Sequence, residues 1–242
     1  MGISERTGKR EPRRFASIRL IRGLAGLMLF LGLAAAGGGV AYAINGATQA
    51  QADVTVKVKA RTTEGLRVET SRGDSTSKAP LAEPSGDDNK ITLDAPGARH
   101  GTSIEAGTDS LELRAWGSTV LEQLLSRGDS AILGLSFGGG ALLLRGLLLS
   151  IAEGVPFRRG NAARIAGIAA LTAAGSYGAA LTPGLAAGLV LERVGLDGPG
   201  SSITPSAFLA PLPALLAAVL LLAVAEAFRR GTELAQDVDG LV

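Results

Sequence analysis

Four long runs almost free of charge, separated by segments in which the charges collect, constrain this chain more than any other feature. A soluble domain alternates polar and apolar positions so that each element shows one wet face. The runs at residues 23–44, 130–150, 165–191 and 207–228 do not alternate. Leu, Ala, Gly and Val follow one another there, interrupted by charge only at Arg145 and Glu226. At about 1.5 Å per residue the first run reaches roughly 33 Å, enough for a hydrocarbon core of about 30 Å. These segments therefore read as helices whose solvent is lipid.

The expected architecture is an all-α membrane protein, a four-transmembrane-helix bundle with a small β-containing extracytoplasmic insert between helices one and two. A basic cytoplasmic arm (residues 1–22) precedes the first span (23–44). The insert (45–117) leads through a helix at 118–150 that contains the second span. A cytoplasmic link (151–164), the third span (165–191), an outer loop (192–206), the fourth span (207–228) and a cytoplasmic tail (229–242) complete the chain. The first span also reads as a secretory signal, because Ala41-Tyr42-Ala43 forms a small-residue cleavage pattern. Its length exceeds the usual apolar region of such signals and favours a retained anchor.

Orientation follows from the placement of Lys and Arg in short flanking segments. The arm, the link with Arg158, Arg159 and Arg164, and the tail opening with Arg229-Arg230 are basic, and an even number of crossings puts all three on one side. Residues 45–129 carry 10 basic and 13 acidic residues. Both termini are thus expected in the cytoplasm of a multi-pass protein of the cell membrane.

Within the insert, Val54-Thr55-Val56-Lys57-Val58 alternates as a half-buried strand does, and residues 66–70, 90–94 and 111–116 are further strand candidates. Residues 70–89 read as a flexible loop rich in Ser, Gly, Asp and Pro.

Small residues recur every four positions at Gly134/Gly138, Ala170/Ala174/Gly178 and Gly184/Gly188, a spacing that lets helix backbones approach closely in lipid. Pro183 can bend the third span, and the Thr182 hydroxyl is placed to satisfy a carbonyl that a proline frees.

Few function classes find support. A net charge of +2 with no dense basic stripe gives no reason to expect direct nucleic-acid binding. With no cysteine, disulfides and thiolate chemistry are excluded. The one histidine, His100, lies in a loop of Gly, Ala and Pro. No Walker, dinucleotide or metal-ligand spacing appears, so no cofactor, metal or catalytic residue is assigned.

Intramembrane charge marks functional suspects, and Arg145 and Glu226 lie at similar depth near the cytoplasmic end of their spans. Three readings stand open: a pair clamping the second span to the fourth, independent snorkelling to the headgroups, and a transport role. Of the midplane polar residues, Ser136, Thr172, Ser176 and Tyr177, none is charged. In the link, Gly154 and Pro156 end the second helix, Phe157 can dip into the interface, and Asn161 is placed to cap the third helix. With Arg158, Arg159 and Arg164 these residues make the link a candidate docking site for a cytoplasmic partner.

Arg145, the link from Ile151-Ala-Glu-Gly-Val-Pro-Phe157 through Asn161 and Arg164, and Phe228-Arg-Arg-Gly-Thr-Glu-Leu234 through Asp237, Asp239 and Val242 resemble a bacterial, actinobacterial membrane family known as domain of unknown function twenty-nine seventy-five. The resemblance covers roughly residues 116–242. It implies four spans and an uncleaved first helix, and members encoded near small helix-turn-helix regulators point to a cytoplasmic regulatory protein as a partner. It implies no activity. The expected function is a non-enzymatic sensing, signalling or partner-binding protein of the envelope, in contact with the lipid bilayer. The alternative is a small transporter or channel component. Oligomeric state is not legible.

Overall fold

The structure is a computed structural model, and it describes residues 18–48, 52–60, 67–70, 91–94, 102–106, 111–199, 201, 203–206 and 208–239. In chain order the elements are α1 (Ile18–Ala47), β1 (Val54–Ala60), β2 (Arg67–Thr70), β3 (Ile91–Asp94), β4 (Thr102–Ala106), β5 (Leu111–Ala115), α2 (Val120–Ser126), α3 (Gly128–Ala152), α4 (Asn161–Val194), β6 (Ile203–Pro205) and α5 (Leu212–Asp239). Four of the helices, α1, α3, α4 and α5, are long and apolar enough to cross a membrane. The basic arm before residue 18, the loop at 71–90 and His100 lie outside the described residues.

The long helices pack in the order α1, α3, α4, α5, each chiefly on its neighbour, and α1 and α5 share no packed interface. The four long apolar helices with a sheet inserted between the first two agree with the expected architecture, and the helices stand side by side in chain order. Close packing is concentrated between α1 and α3. A Cβ at Gly32 would lie 2.9 Å from the Ala141 Cβ, and one at Gly138 would lie 2.8 Å from both the Ala36 Cβ and the Gly32 carbonyl oxygen. A Cβ at Gly39 would strike the Ser130 carbonyl, and one at Gly134 the Ala35 carbonyl. Without a hydrophobic force between helices in lipid, such backbone approach supplies the contact. Only part of the small-residue spacing is used this way. Gly178 meets Ile132, whereas Ala170 and Ala174 are exposed and a Cβ at Gly188 would meet nothing within 4 Å.

All six strands form one antiparallel sheet in the order β2-β3-β4-β5-β1-β6. The alternation in β1 buries Val54, Val56 and Val58 and exposes Thr55, Lys57 and Lys59. Val54 pairs with Ala115, Val56 with Leu113 and Val58 with Leu111, so β5 adds its apolar residues to the same face. That face packs on Ala186, Ala187, Val190, Leu191 and Val194 of α4 together with Leu196 and Ile203.

Several expected boundaries move. The helix expected over 118–150 is two, α2 and α3, broken at Arg127. Helix α1 starts five residues earlier than residue 23 and takes in Arg19 and Arg22. The third helix is longer than a single crossing needs: α4 is 34 residues, roughly 51 Å at about 1.5 Å each, and its last turns are the floor of the sheet. The outer loop at 192–206 contributes β6, which pairs with β1. Helix α5 starts at Leu212 rather than 207, beside Pro211 and Pro213, and runs on through the expected tail to Asp239.

Candidate functional site

The link between α3 and α4 begins with a glycine turn. Gly154 has φ 82°, its N–H donates to the Ile151 carbonyl at 3.0 Å, and the Val155 N–H donates to the Ser150 carbonyl at 3.1 Å. This closes α3 with the left-handed residue that glycine adopts without a Cβ penalty. Gly160, at φ 97°, turns the chain back and stands at the N-cap of α4.

Asn161 is the hub of this hairpin, and its role differs from the expected cap. It is the first helical residue and is completely buried. Its Nδ2 donates to the Ser150 hydroxyl at 2.6 Å and to the Pro156 carbonyl at 2.8 Å. Its Oδ1 accepts from Arg164 Nη1 at 2.9 Å, and that same nitrogen donates to the Gly146 carbonyl at 2.9 Å. One amide thereby ties together the end of α3, the link and the start of α4. A buried amide so satisfied stabilises; one left unpaired costs about 1–3 kcal/mol per orphaned group.

Phe157 packs in part on α5 and stays 45 % exposed. Its ring lies 5.5 Å from that of Phe228, and a Cβ at Gly231 would fall 2.6 Å from its edge. Arg159 donates to Gln236 Oε1 at 2.9 Å, so the link rests along the extended end of α5. Among the described residues Arg158 pairs with Glu153, 3.4 Å away at the surface, a pair worth little. Of the seven expected docking residues, Asn161 and Arg164 hold the hairpin, Gly154 and Pro156 shape it, and Phe157 seats it on α5. Arg158 and Arg159 present exposed charge.

The proposed Arg145–Glu226 clamp is not formed. Glu226 accepts from Arg229 at 2.7 and 2.8 Å and from Arg230 at 2.9 Å, on its own helix, and Arg229 also reaches Glu233 at 2.7 Å. Helices three and five of the chain are separated by α4, so similar depth does not bring the two residues together.

A second polar centre, unforeseen in the sequence, joins the sheet to the helices. Glu122 is 2 % exposed. It forms a capping box with Thr119, its carboxylate accepting from the Thr119 N–H at 2.8 Å while its own N–H donates to the Thr119 hydroxyl at 3.2 Å. The same carboxylate accepts from Arg193 Nε at 2.8 and 3.0 Å. Arg193 Nη1 donates to the Trp116 carbonyl at 2.9 Å. Beside it, the Gln123 side chain donates to the Asp53 carbonyl and the Ser118 hydroxyl, and Ser118 donates to the Ala52 carbonyl. The signal for half of this was present: Thr119-x-x-Glu122 has the capping-box spacing. Arg193, 71 residues further on, gave none.

Between α1, α3 and α4 lies a crevice of about 280 Å³. Met28, Phe137 and Leu171 are among its apolar lining, and the hydroxyls of Ser136, Thr172 and Ser176 supply its polarity. The Thr172 hydroxyl is turned to the Ile168 carbonyl at 2.9 Å. No ionisable side chain lines it. Among the described residues there is no group of three or more His, Asp or Glu placed to hold a metal ion. No family model, curated protein or solved structure matches the chain.

Proposed function

We propose that the chain is a multi-pass protein of the cell membrane, N- and C-termini cytoplasmic, that senses or signals by binding partners on both faces and does no chemistry of its own. The observation that carries this reading is that one helix, α4, is built into a folded element at each end, the sheet at one and the Asn161 hairpin at the other. Such a helix can report the state of one face to the other. The exposed Arg158 and Arg159, held on a fixed hairpin beside α5, fit an acidic patch on a cytoplasmic regulatory protein. The resemblance to the family of unknown function belongs to the same proposal and rests on the residues quoted for it.

Two experiments test it. Single cysteines at the exposed Thr55, Gly198, Arg158 and Ala235 are probed on intact cells with a membrane-impermeant thiol reagent; the first two should label and the last two should wait for lysis. Labelling of Arg158→Cys in intact cells would reverse the orientation. Photo-crosslinkers at Arg158 and Lys57 should then each trap a discrete species in vivo, and capture of lipid alone at both positions would remove the partner-binding reading. The crevice supports one alternative, a small transporter: replacing Ser136, Thr172 and Ser176 together by Ala would abolish uptake if it were the path.

A further inference from the structure

Helix α2 is built inside out. Its polar side chains face the protein: Glu122 and Gln123 are 2 % and 1 % exposed. Three of its four apolar side chains face away, with Val120 56 %, Leu121 54 % and Leu124 40 % exposed, continuous with Trp116 at 64 %, while Leu125 packs on the core. A helix on a soluble surface does the reverse, since it hides its apolar stripe in the core. Four large apolar residues within nine positions make a patch that water does not favour.

What surrounds this patch follows from its neighbours. Only Arg127 separates α2 from α3, one of the four candidate spans, so α2 stands where that span leaves the membrane. Arg127 lies over the ring of Tyr42 at 5.2 Å, near the end of α1. Tyr and Trp collect at the headgroup level, where an amphipathic ring meets both apolar and wet surroundings.

We propose that α2 and Trp116 form a foot embedded in the headgroup and upper acyl region of the bilayer on the sheet side, so that the sheet is held down on the membrane and does not stand free of it. The occupant of the patch is lipid. Helices that lie in the interface plane bury one apolar face about 5–10 Å deep. The network behind the patch keeps the foot in register: Glu122 is bound to Arg193 of α4, and Gln123 to the backbone beside β1. Any lift of the sheet must therefore pull α2 out of lipid. This inference stands whether or not the protein signals.

Trp116 is the chain's single tryptophan, so its fluorescence reports this site alone. The full chain is reconstituted into phosphatidylglycerol/phosphatidylcholine vesicles whose lipids carry bromines either at shallow acyl carbons or at the chain end. We expect blue-shifted emission, mostly lost to shallow bromines, several-fold less affected by deep ones and little affected by aqueous iodide. Strong iodide quenching without lipid quenching would overturn the proposal by placing the patch in water. Protection from both would overturn it too, because a second copy or another protein would then cover the patch. The Leu121→Glu/Leu124→Glu variant should shift the emission red and raise iodide quenching while the far-ultraviolet helix signal stays unchanged. Unchanged emission in that variant would likewise count against the foot.

Discussion

At its sheet end α4 is gripped by apolar packing and one ion pair, and by groups far away in the chain: Val54 to Val58 before it, Ile203 after it, and Glu122 across 71 residues. At its link end it is held by amide and guanidinium hydrogen bonds among residues 146–164, all within one helical hairpin. The difference is one of range. The link end is a local device that forms as soon as α3 and α4 lie side by side. The sheet end forms only when the insert, α4 and the segment before α5 have met, and it tolerates a charge there only because Glu122 and Arg193 arrive together.

The largest test of this contrast is Arg193→Met. It leaves the Glu122 carboxylate buried without its partner, and breaking such a pair costs about 3–5 kcal/mol; the partly exposed Arg193 puts the loss near about 3. Chemical unfolding in nanodiscs should show it, and the double variant with Glu122→Gln should recover part of the loss. Full additivity of the two would mean the pair does not couple the insert to α4. Next comes Asn161→Leu at the other end, expected to cost about 2 kcal/mol because the Pro156 carbonyl and the Arg164 side chain lose their partner. Proteolysis at the link should rise in that variant while the sheet stays protected. If both ends loosened, α4 would transmit rather than separate the two regions.

Smaller effects sharpen the picture. Gly231→Ala puts a methyl against the Phe157 ring, and overpacking of this kind outweighs the roughly 0.5–1 kcal/mol that Ala gains in a helix, for a net loss near 1 kcal/mol. A disulfide trap between Arg159→Cys and Gln236→Cys should form more slowly in that background. Thr182→Val should cost about 1 kcal/mol, because its hydroxyl donates at 3.2 Å to the Ala179 carbonyl, the acceptor that Pro183 cannot serve. Arg158→Ala should change stability by no more than about 0.5 kcal/mol, since its pair is exposed.

The four apolar helices were legible because lipid-facing segments need no alternation, and β1, β2, β3 and β5 because their runs hold recognisable strand residues. Strand β4 was not, since Thr-Ser-Ile-Glu-Ala carries a single large apolar residue, Ile104. Nor was β6, three residues ending in Pro205. The turns of α4 up to Leu191 read as membrane because Ala186, Ala187, Val190 and Leu191 are equally apolar whether lipid or a sheet covers them. Thr182's part beside Pro183 could be foreseen, as the acceptor is fixed by helix geometry. The Arg145–Glu226 pair failed for a different reason: residue spacing gives depth along a helix but not which helix stands next to which. The link was found as a unit, yet the hub role of Asn161 depends on Ser150 and Gly146 across the hairpin, which spacing alone does not supply.

Strand β6 has a consequence for biogenesis. Its three residues, 203–205, cover the edge of β1 at Val58–Ala60, and they come from the segment between α4 and α5. A ribosome delivers β1 long before its partner, so the nascent sheet keeps one raw edge until the chain beyond α4 has been made, and an unpaired edge invites wrong partners. If the last hairpin failed to thread, β6 would stay on the wrong side and the edge would remain bare. A bare β1 edge would then mark the chains in which the segment between α4 and α5 had not reached the sheet.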